Sequence, residues 1–304
     1  MNDAQIRLRY LERTIRLLFP GAGEPSAYSV LPHPRLPRRL VPRTWWHRPF
    51  GPAVPVPSGA ESIIGHLGEV LGMPVRVVLH IRPARRANRK PVLEVHGPDG
   101  LAAYVKVGDS ARARALVRNE AAALRLLADA PLKTVCPPVL LHHGEWRGLD
   151  VLVVSPLPVP RRRRPIPAQL IHAAVAEIAA LDADTPSAWH GDFAPWNIAR
   201  APDGRLLVWD WERFASGVPL GFDAAHLSLS RALSRMRPPL AARSCLASAT
   251  ETLAPYGLSA AQAKLTVIRY LITLADRHAA DGHEPLGPPA RWLTPLIDHQ
   301  ESVL

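Results

Sequence analysis

The stretch that decides the fold is His-Gly-Asp-Phe-Ala-Pro-Trp-Asn at residues 190–197, which is followed by Val-Trp-Asp-Trp-Glu at 208–212. An aspartate and an asparagine separated by four residues, with a second aspartate downstream, are typical of a site for magnesium and phosphate. Asp192 can accept the proton of an attacking hydroxyl, whereas Asn197 and Asp210 offer hard oxygen ligands to Mg²⁺. Each residue alone is compatible with an ordinary loop or strand end, so only the ordered set favours phosphoryl transfer.

The segment between Asn197 and Asp210 predicts a tight hairpin. Two β-prone runs, 197–200 and 205–209, flank the strong turn sequence Ala-Pro-Asp-Gly at 201–204. A hairpin there brings the asparagine and the aspartate close in space although they are apart in sequence. We therefore expect the two candidate metal ligands to be neighbours.

A single lysine lies on a predicted strand upstream. Lys106 is in the apolar run Leu-Ala-Ala-Tyr-Val-Lys-Val at 101–107, after the turn sequence Gly-Pro-Asp-Gly at 97–100. Glu120 lies in an Ala-, Leu- and Arg-rich segment that predicts a helix over 110–129. A strand lysine paired with a glutamate on the next helix can hold the α- and β-phosphates of ATP. Taken alone, Lys106 is better explained as a solvated strand residue, and only its order with the downstream acids favours the phosphate role.

The chain resembles the aminoglycoside phosphotransferase family, which is similar to choline and homoserine kinases and more distantly to protein kinases. The catalytic loop of that family has the form His-Gly-Asp-x-x-x-x-Asn, and this sequence matches it at 190–197. The resemblance covers roughly residues 70–280 and is most specific at 187–226. It implies an α+β, protein-kinase-like bilobal fold, with a small antiparallel-sheet N-lobe and a mainly helical C-lobe.

The resemblance also implies a role for each matching residue of the catalytic loop and the segments after it. Asp192 would be the catalytic base, and His190 would orient the loop through hydrogen bonds. Asn197 and Asp210 would bind Mg²⁺. Asp223, in the segment Pro-Leu-Gly-Phe-Asp, would support the loop rather than take part in the reaction.

The nucleotide implied by the resemblance is ATP or GTP. Lys106 would hold its phosphates, with Glu120 as the partner of the lysine. The backbone near Ser155 and Leu157, in the predicted hinge Ser-Pro-Leu-Pro, would bind the adenine ring, although the two prolines of this hinge lack the N–H donor.

Departures from the protein-kinase pattern favour a small-molecule acceptor. Ala194 stands where protein kinases usually have a lysine, and an Ala-Pro-Glu activation-segment signature is absent from the sequence. The segment 82–90 lacks the glycines that normally cover the phosphates and is crowded with arginines and a lysine, which either bind phosphate or form a solvated turn. Acidic residues are scattered over 276–301, which argues mildly against a polycationic aminoglycoside.

The sequence thus favours an ATP- and Mg²⁺-dependent phosphotransferase that acts on a hydroxyl of a small molecule of the antibiotic, sugar or amino-alcohol type. The alternative is a pseudokinase that binds a nucleotide or a partner within a biosynthetic complex, which the glycine-free loop favours. Retention of Asp192 counts against this alternative, because a binding module has no need of a base. Phosphorylation of a peptide or protein is less favoured, since the activation segment is missing.

Three segments are expected along the chain. Residues 1–60 comprise a helix over 1–19 and a proline-rich arm, 61–157 form the N-lobe and hinge, and 158–304 form the helical C-lobe with the catalytic loop. The arm, at 20–57, holds ten of the chain's 33 prolines, so regular structure is not expected there, and it is a candidate contact for a protein partner.

The remaining predicted elements are those that the hydrophobic pattern favours. The strands are 75–81, 91–95, 101–107 and 151–154, and the helices are 61–72, 167–182, 222–236, 240–254, 259–279 and 290–303.

The charge and the cysteine content limit which classes of protein the sequence fits. The net charge of +11 comes from the first 180 residues and is densest at Arg161–Arg164. This run has no interleaved aromatic residues to stack on bases, so a solvated segment is the better interpretation and no nucleic-acid partner is expected. Cys136 and Cys245 are too few for a disulfide framework, and no apolar run approaches the length of a membrane span. The sequence therefore predicts a cytoplasmic protein without a membrane span.

Overall fold

The computed structural model describes residues 3–21, 24–33, 35–57, 59–81, 89–182, 187–281 and 286–293. Contacts between residues divide the chain into two units. The sheet unit comprises Met1–Arg118 and Val139–Pro156, and the helical unit comprises Asn119–Pro138 and Leu157–Leu304.

The described residues form both helices and strands, which are numbered in chain order. The helices are α1 (Asp3–Leu18), α2 (Ile63–Leu71), α3 (Ala111–Asp129), α4 (Ala168–Ala179), α5 (Phe222–Leu233), α6 (Pro238–Ala247), α7 (Ala249–Leu253), α8 (Ala260–Ala280) and α9 (Pro289–Trp292). The strands are β1 (Pro25–His33), β2 (Leu36–Pro42), β3 (Val54–Pro57), β4 (Arg76–His80), β5 (Val92–Gly97), β6 (Gly100–Gly108), β7 (Val135–Cys136), β8 (Leu140–Trp146), β9 (Leu149–Val154), β10 (Ala188–Trp189), β11 (Ile198–Arg200), β12 (Leu206–Val208) and β13 (Ala215–Ser216). Short 3-10 helices occupy Trp45–Phe50, Trp211–Arg213 and Ala254–Tyr256.

The sheet unit is built on one eight-stranded antiparallel sheet in the order β3-β1-β2-β4-β5-β6-β9-β8. Buried and more exposed positions alternate along β6, where Val105 and Val107 are fully buried and Lys106 between them is partly exposed, whereas β9 is buried throughout. The core of this unit also receives apolar residues of α1 and α2, such as Leu18 and Leu67, which are fully buried. Burial of such side chains contributes about 25 cal/mol per Å² of apolar surface.

The prediction that 20–57 lacks regular structure is wrong. Three strands and a 3-10 helix form there, and β2 joins the rest of the sheet through the pairing of Leu40 with Leu79 on β4. Tyr28, Val30 and Leu40 are buried in the core of the sheet unit. Their apolar side chains therefore outweigh the breaking tendency of the prolines.

The prolines of this segment lie where a strand tolerates the loss of an N–H donor. Pro32 and Pro37 are paired at a register shift between β1 and β2, and Pro55 and Pro57 lie on β3, which is an edge strand. A proline count therefore misled the prediction, because it ignored the positions of the prolines relative to the ladder. The expected contact of this arm with a protein partner remains a prediction.

The helical unit contains α4 to α9 and several short strands. Helix α5 packs against α6, α7 and α8, and seven of its first eight residues, together with Ser230, are buried or nearly so. Strands β11 and β12 form an antiparallel hairpin, and β7 pairs in parallel with β12. The α+β prediction is confirmed, since one unit is an antiparallel sheet and the other is mainly helical.

Most of the predicted helices and strands are confirmed, with two differences in the helical unit. The helix expected over 240–254 begins at Pro238 and is divided at Ser248 into α6 and α7. Of the helix expected over 290–303, the structure describes only α9, and the residues after 293 lie outside the described part of the chain. Cys136 and Cys245 are free thiols. In the part of the chain that is described, no helix combines the length and apolar character that a membrane crossing requires.

Candidate active site

The predicted hairpin between Asn197 and Asp210 is confirmed. Ile198 pairs with Val208 and Arg200 pairs with Leu206. The ladder extends one step further, since the N–H of Trp209 donates to the carbonyl oxygen of Asn197 at 3.1 Å. Asp210 follows directly, and its charge acts on Asp192, so the hairpin brings the catalytic-loop aspartate and the downstream aspartate into electrostatic contact.

Two side chains hold the carboxylate of Asp192. The amide nitrogen Nδ2 of Asn197 donates to Asp192 Oδ2 at 2.9 Å and to the Asp192 carbonyl oxygen at 3.0 Å. On the other oxygen, Nε2 of His226 lies 3.0 Å from Asp192 Oδ1. Burial alone would raise the pKa of Asp192, but the hydrogen bond from His226 holds it below the ordinary value, so the carboxylate is ionised at neutral pH. The Asp192 side chain keeps 30% of its surface exposed, so a hydroxyl can reach it.

His190 is a positioning residue in this geometry. It is fully buried, its Nδ1 accepts the backbone N–H of Asp192 at 3.1 Å, and its Nε2 lies 3.1 Å from the carbonyl oxygen of Trp209. Because Nδ1 accepts, Nε2 must carry the proton and donate to the carbonyl. Burial lowers the pKa of His190 to about 4, which keeps the ring neutral in this bonding pattern. The ring therefore ties the catalytic loop to the hairpin and is not placed to exchange protons with a substrate.

Asp223 supports the loop from the N-terminal turn of α5. It is 2% exposed, and its carboxylate accepts the backbone N–H groups of His190 at 2.7 Å and Gly191 at 3.2 Å. Burial raises the pKa of Asp223 to about 7, and the two N–H donors oppose this shift. The predicted supporting function of Asp223 matches these contacts.

Gly191 is required by its conformation and by a close approach. Its φ is +81°, and a Cβ at this position would lie 2.2 Å from the carbonyl oxygen of Arg213. Arg277 donates to the carbonyl oxygen of Gly191, and its guanidinium lies 5.6 Å from the centroid of the Trp189 ring. The loop is thus fixed at both of the backbone groups of Gly191.

A second cluster of acids surrounds Asp210. Carboxylate oxygens of Glu120, Asp210 and Glu212 lie within 4.8 Å of one another. Asp210 has a left-handed backbone, with φ 72° and ψ 53°, a conformation that is strained for a residue other than glycine and that recurs at functional sites. Hard oxygen donors in this number suit Mg²⁺, and a divalent cation would relieve the mutual repulsion of three carboxylates. The residues present therefore fit the metal that the resemblance implies.

Asn119 explains how Glu120 reaches this cluster. Its Nδ2 donates to the carbonyl oxygens of Glu212 at 3.1 Å and Phe214 at 2.9 Å, which ties α3 to the segment after Asp210. Glu120 itself is 1% exposed. From Asn119 onward α3 belongs to the helical unit, so Glu120 is placed with the acids of that unit.

Lys106 lies on β6 in the sheet unit, where it pairs with Val92 and Leu152. The expected ion pair with Glu120 remains a prediction. Of the glycine-free segment, 82–88 lies outside the described residues. Arg89 lies over the ring of Tyr10 at 5.1 Å from its centroid.

The backbone of Ser155, which was expected to bind the adenine ring, makes hydrogen bonds within the protein. The N–H of Ser155 donates to the carbonyl oxygen of Val139 at 2.9 Å, and the Ser155 hydroxyl accepts the N–H of Val139 at 2.8 Å. The Ser155 N–H is therefore committed to Val139, the residue before β8, and is not available to a nucleotide base. The carbonyl oxygen of Leu157 accepts the N–H of Val159 at 2.8 Å.

The arginine run contacts the catalytic loop within the helical unit. Arg163 donates to the carbonyl oxygen of Pro195 at 2.8 Å and lies over the Trp209 ring at 5.8 Å from its centroid. A cavity of about 210 Å³ lies beside it, lined by Arg163, Arg164, Ile166, Pro195, Ile198, Ala199 and Arg231. The run 161–164 is exposed, as expected of a solvated segment, and the guanidinium of Arg163 in addition has a backbone acceptor and an aromatic ring.

Sequence reasoning missed four residues of this site: Glu212, His226, Tyr270 and Arg277. Two of them left a signal. Glu212 is an acid two positions after Asp210. His226 follows Asp223 by three residues on a predicted helix, and this spacing places Asp223 and His226 on one face of the helix. Tyr270 and Arg277 had no local signal, because only the packing of α8 brings them to the loop.

No family model and no curated protein matches the chain. Among solved structures, the chain is similar to a protein named as a fructosamine-3-kinase from Haemophilus somnus 129PT, with 14% identity, a TM-score of 0.45, and coverage of 72% of this chain and 91% of that one. It is also similar to APH(2'')-IIa in a ternary complex with streptomycin and ATP, with 13% identity, a TM-score of 0.48, and coverage of 74% and 94%. A third is the aminoglycoside phosphotransferase APH(3'')-Id from Streptomyces rimosus ATCC10970 with ADP and streptomycin, with 16% identity, a TM-score of 0.35, and coverage of 59% and 88%.

Proposed function

We propose that the protein is a phosphotransferase that moves the γ-phosphoryl group of ATP or GTP to a hydroxyl of a small molecule. The observation that carries this proposal is the setting of Asp192. Its carboxylate is ionised, is fixed by Asn197 and His226, and remains 30% exposed beside a separate cluster of acids. A base that is fixed and accessible suits the alignment of a hydroxyl for attack.

In the proposed reaction, Asp192 accepts the hydrogen bond of the acceptor hydroxyl and then its proton. The hydroxyl oxygen forms a bond to the γ-phosphorus while the bond from that phosphorus to the β–γ bridging oxygen breaks, which gives the phosphate ester and ADP or GDP. Catalysis of this kind depends on positioning and charge more than on covalent chemistry. The hydrogen bonds of Asp223, His190 and Asn197 supply that positioning for the loop.

Mg²⁺ would be held by Asp210 and Asn197, and when bound it would offset negative charge on the phosphates. The donors fit this role. Nδ2 of Asn197 is committed to Asp192, so the remaining polar atom of its amide is the oxygen, which is the atom that a hard cation needs. Glu120 and Glu212 add carboxylates to the same cluster.

Lys106 is proposed to bind the phosphates of the nucleotide. It is partly exposed on β6, and pairing of this strand with β5 and β9 fixes its backbone on both sides. Glu120 remains its proposed partner, although the acids around Asp210 give that glutamate a second candidate role.

The test is an assay of ADP or GDP release with a panel of hydroxyl compounds, with and without Mg²⁺. Asp192→Asn should lower the transfer rate by a factor on the order of 10² to 10⁴, with little change in nucleotide affinity. Asp203→Asn is the matched control, because Asp203 is an exposed carboxylate at the hairpin turn. Wild-type turnover in Asp192→Asn would remove this residue from the mechanism. Nucleotide binding by the wild-type protein without any transfer would favour the pseudokinase alternative.

A further inference from the structure

His226 connects the base to a buried tyrosine. Its ring is 5% exposed and lies on α5, one turn after Asp223. Nε2 is 3.0 Å from Asp192 Oδ1, and Nδ1 is 3.0 Å from the hydroxyl oxygen of Tyr270 on α8. Tyr270 is fully buried. Both ring nitrogens of His226 therefore have a single partner each, on opposite sides of the ring.

The directions of these two hydrogen bonds follow from the chemistry of the groups. An ionised carboxylate only accepts, so Nε2 of His226 must carry a proton and donate to Asp192. Burial lowers the pKa of His226, which keeps the ring neutral with one N–H, and Nδ1 must then accept from Tyr270. Burial raises the pKa of Tyr270 well above its ordinary value, so the phenol keeps the proton that it donates. The bonds run in one direction, from Tyr270 through His226 to Asp192.

This chain of bonds leaves the carboxylate with a defined orientation. A carboxylate offers about four lone-pair sites on two oxygens. Asn197 takes one site on Oδ2 and His226 takes one on Oδ1. Rotation about the Cβ–Cγ bond would break both bonds, so the two remaining sites face fixed directions.

We propose that His226, whose ring is held at Nδ1 by Tyr270, is the positioning residue that holds Asp192 in the orientation needed for transfer. This inference rests on the proposed function. It adds to that function the N–H donor of His226. Removing this donor should impair Asp192 although Asp192 itself is still present. Arg277 is a cation whose charge acts on both Asp192 and His226, but it donates to the Gly191 carbonyl oxygen and so fixes the backbone of the loop rather than the carboxylate.

A packing role is the competing explanation, since the Tyr270 ring is part of an aromatic cluster. Its centroid lies 5.7 Å from that of Phe222 and 5.9 Å from that of His226. Packing requires a side chain of suitable volume, whereas positioning requires an N–H at the place of Nε2. His226→Leu keeps an apolar side chain and removes the donor, and His226→Gln returns an N–H close to that place.

The expected result is a kinetic difference between these two variants. His226→Leu should lower kcat by about tenfold to a hundredfold with little change in the KM for nucleotide, since a misplaced catalytic group costs up to about 10² in rate. His226→Gln should recover most of that loss. His172→Leu is the matched control, because the ring of His172 makes the same kind of edge contact with a tyrosine. Its centroid lies 5.9 Å from that of the Tyr256 ring. This control should keep the wild-type kcat.

Nitrogen-15 NMR of the histidine rings supplies a readout that does not depend on turnover. His226 should be neutral with the proton on Nε2, and Tyr270→Phe should shift the Nδ1 resonance, because Nδ1 then loses the donor from which it accepts. Wild-type kcat in His226→Leu, or equal losses in the leucine and glutamine variants, would overturn the positioning role. If the wild-type protein transfers no phosphate, the proposed function fails. The hydrogen-bond chain is tested independently of turnover, since an NMR spectrum with the proton of His226 on Nδ1 would overturn it.

Discussion

The buried carboxylate of Asp223 accepts the backbone N–H of His190 at 2.7 Å. This bond joins the first turn of α5 to the first residue of the catalytic loop. Because the same carboxylate also accepts the N–H of Gly191, the backbone before Asp192 is held at two consecutive residues. The position of Asp192, the proposed base, therefore depends on a residue that lies outside the 190–197 loop.

Asp223 should make the stability of the protein depend on pH. Its pKa is about 7 in the folded protein against 3.8 for an ordinary aspartate, so its stabilising contribution is complete below about pH 4 and is lost as the pH rises to about 7. Relative to Asp223→Asn, the wild-type free energy of unfolding should fall over this range, by at most about 4 kcal/mol. Urea denaturation of both proteins between pH 4 and pH 8 measures the difference. A difference that does not vary with pH would contradict the raised pKa, and Asp203→Asn serves as the exposed control.

Gly191→Ala should strongly destabilise the catalytic loop. The new Cβ would lie 2.2 Å from a backbone oxygen of Arg213, and the residue would also have to keep a φ of +81°. Gly204→Ala is the matched control, since Gly204 has a φ of +93° and nothing within 4 Å of its Cβ position. The control should lose only about 1 kcal/mol, the cost of the backbone conformation. Thermal unfolding should therefore show a much larger decrease in Tm for Gly191→Ala, and equal decreases would mean that the loop moves away without cost.

Asp210→Asn should greatly weaken Mg²⁺-dependent nucleotide binding while the backbone stays folded, because asparagine tolerates the left-handed conformation seen at this position. Glu212→Gln should weaken it less, by a factor on the order of 10 to 100. Calorimetric titration with ATP, with and without Mg²⁺, measures both effects. Glu251→Gln, on the exposed face of α7, is the control. Unchanged binding in Asp210→Asn would place the metal elsewhere.

Lys106→Met should separate phosphate binding from fold stability. Lys106 is partly exposed and methionine keeps most of its aliphatic part, so the Tm without ligand should change little. Saturating ATP and Mg²⁺ should raise the Tm of the wild-type protein through linkage, and this rise should be much smaller in the variant. Lys264→Met, at an exposed position of α8, is the control. A large decrease in Tm without ligand would show that Lys106 is a structural residue.

The local part of the site can be predicted from sequence, and the part built by tertiary packing cannot. The hairpin after Asn197 is predictable because turn residues and β-prone runs act over a few positions. The contact of His226 with Tyr270 joins residues 44 positions apart, so no local pattern reports it. Glu212 is visible in the sequence only as an acid after Asp210, and its contribution to the acidic cluster depends on where α3 places Glu120.

The same reasoning explains the error in the N-terminal segment. Composition predicts an irregular arm because proline cannot donate to a ladder. The physical cost of a proline depends on whether its N–H would have faced a partner, and at an edge or a register shift it would not. Apolar residues such as Val30 and Leu40 then decide the outcome, because their burial requires a sheet.

The pairing of β2 with β4 has a consequence for anyone who shortens this chain. A protein begun at Glu61 would lack β1 to β3 and would present β4 as a bare edge, without the partner of Leu79. The unpaired N–H and C=O groups of an exposed edge strand can pair with strands of other molecules. We therefore expect such a fragment to aggregate. Strands β1 to β3 therefore cover the edge of β4, and a trial of activity should keep them.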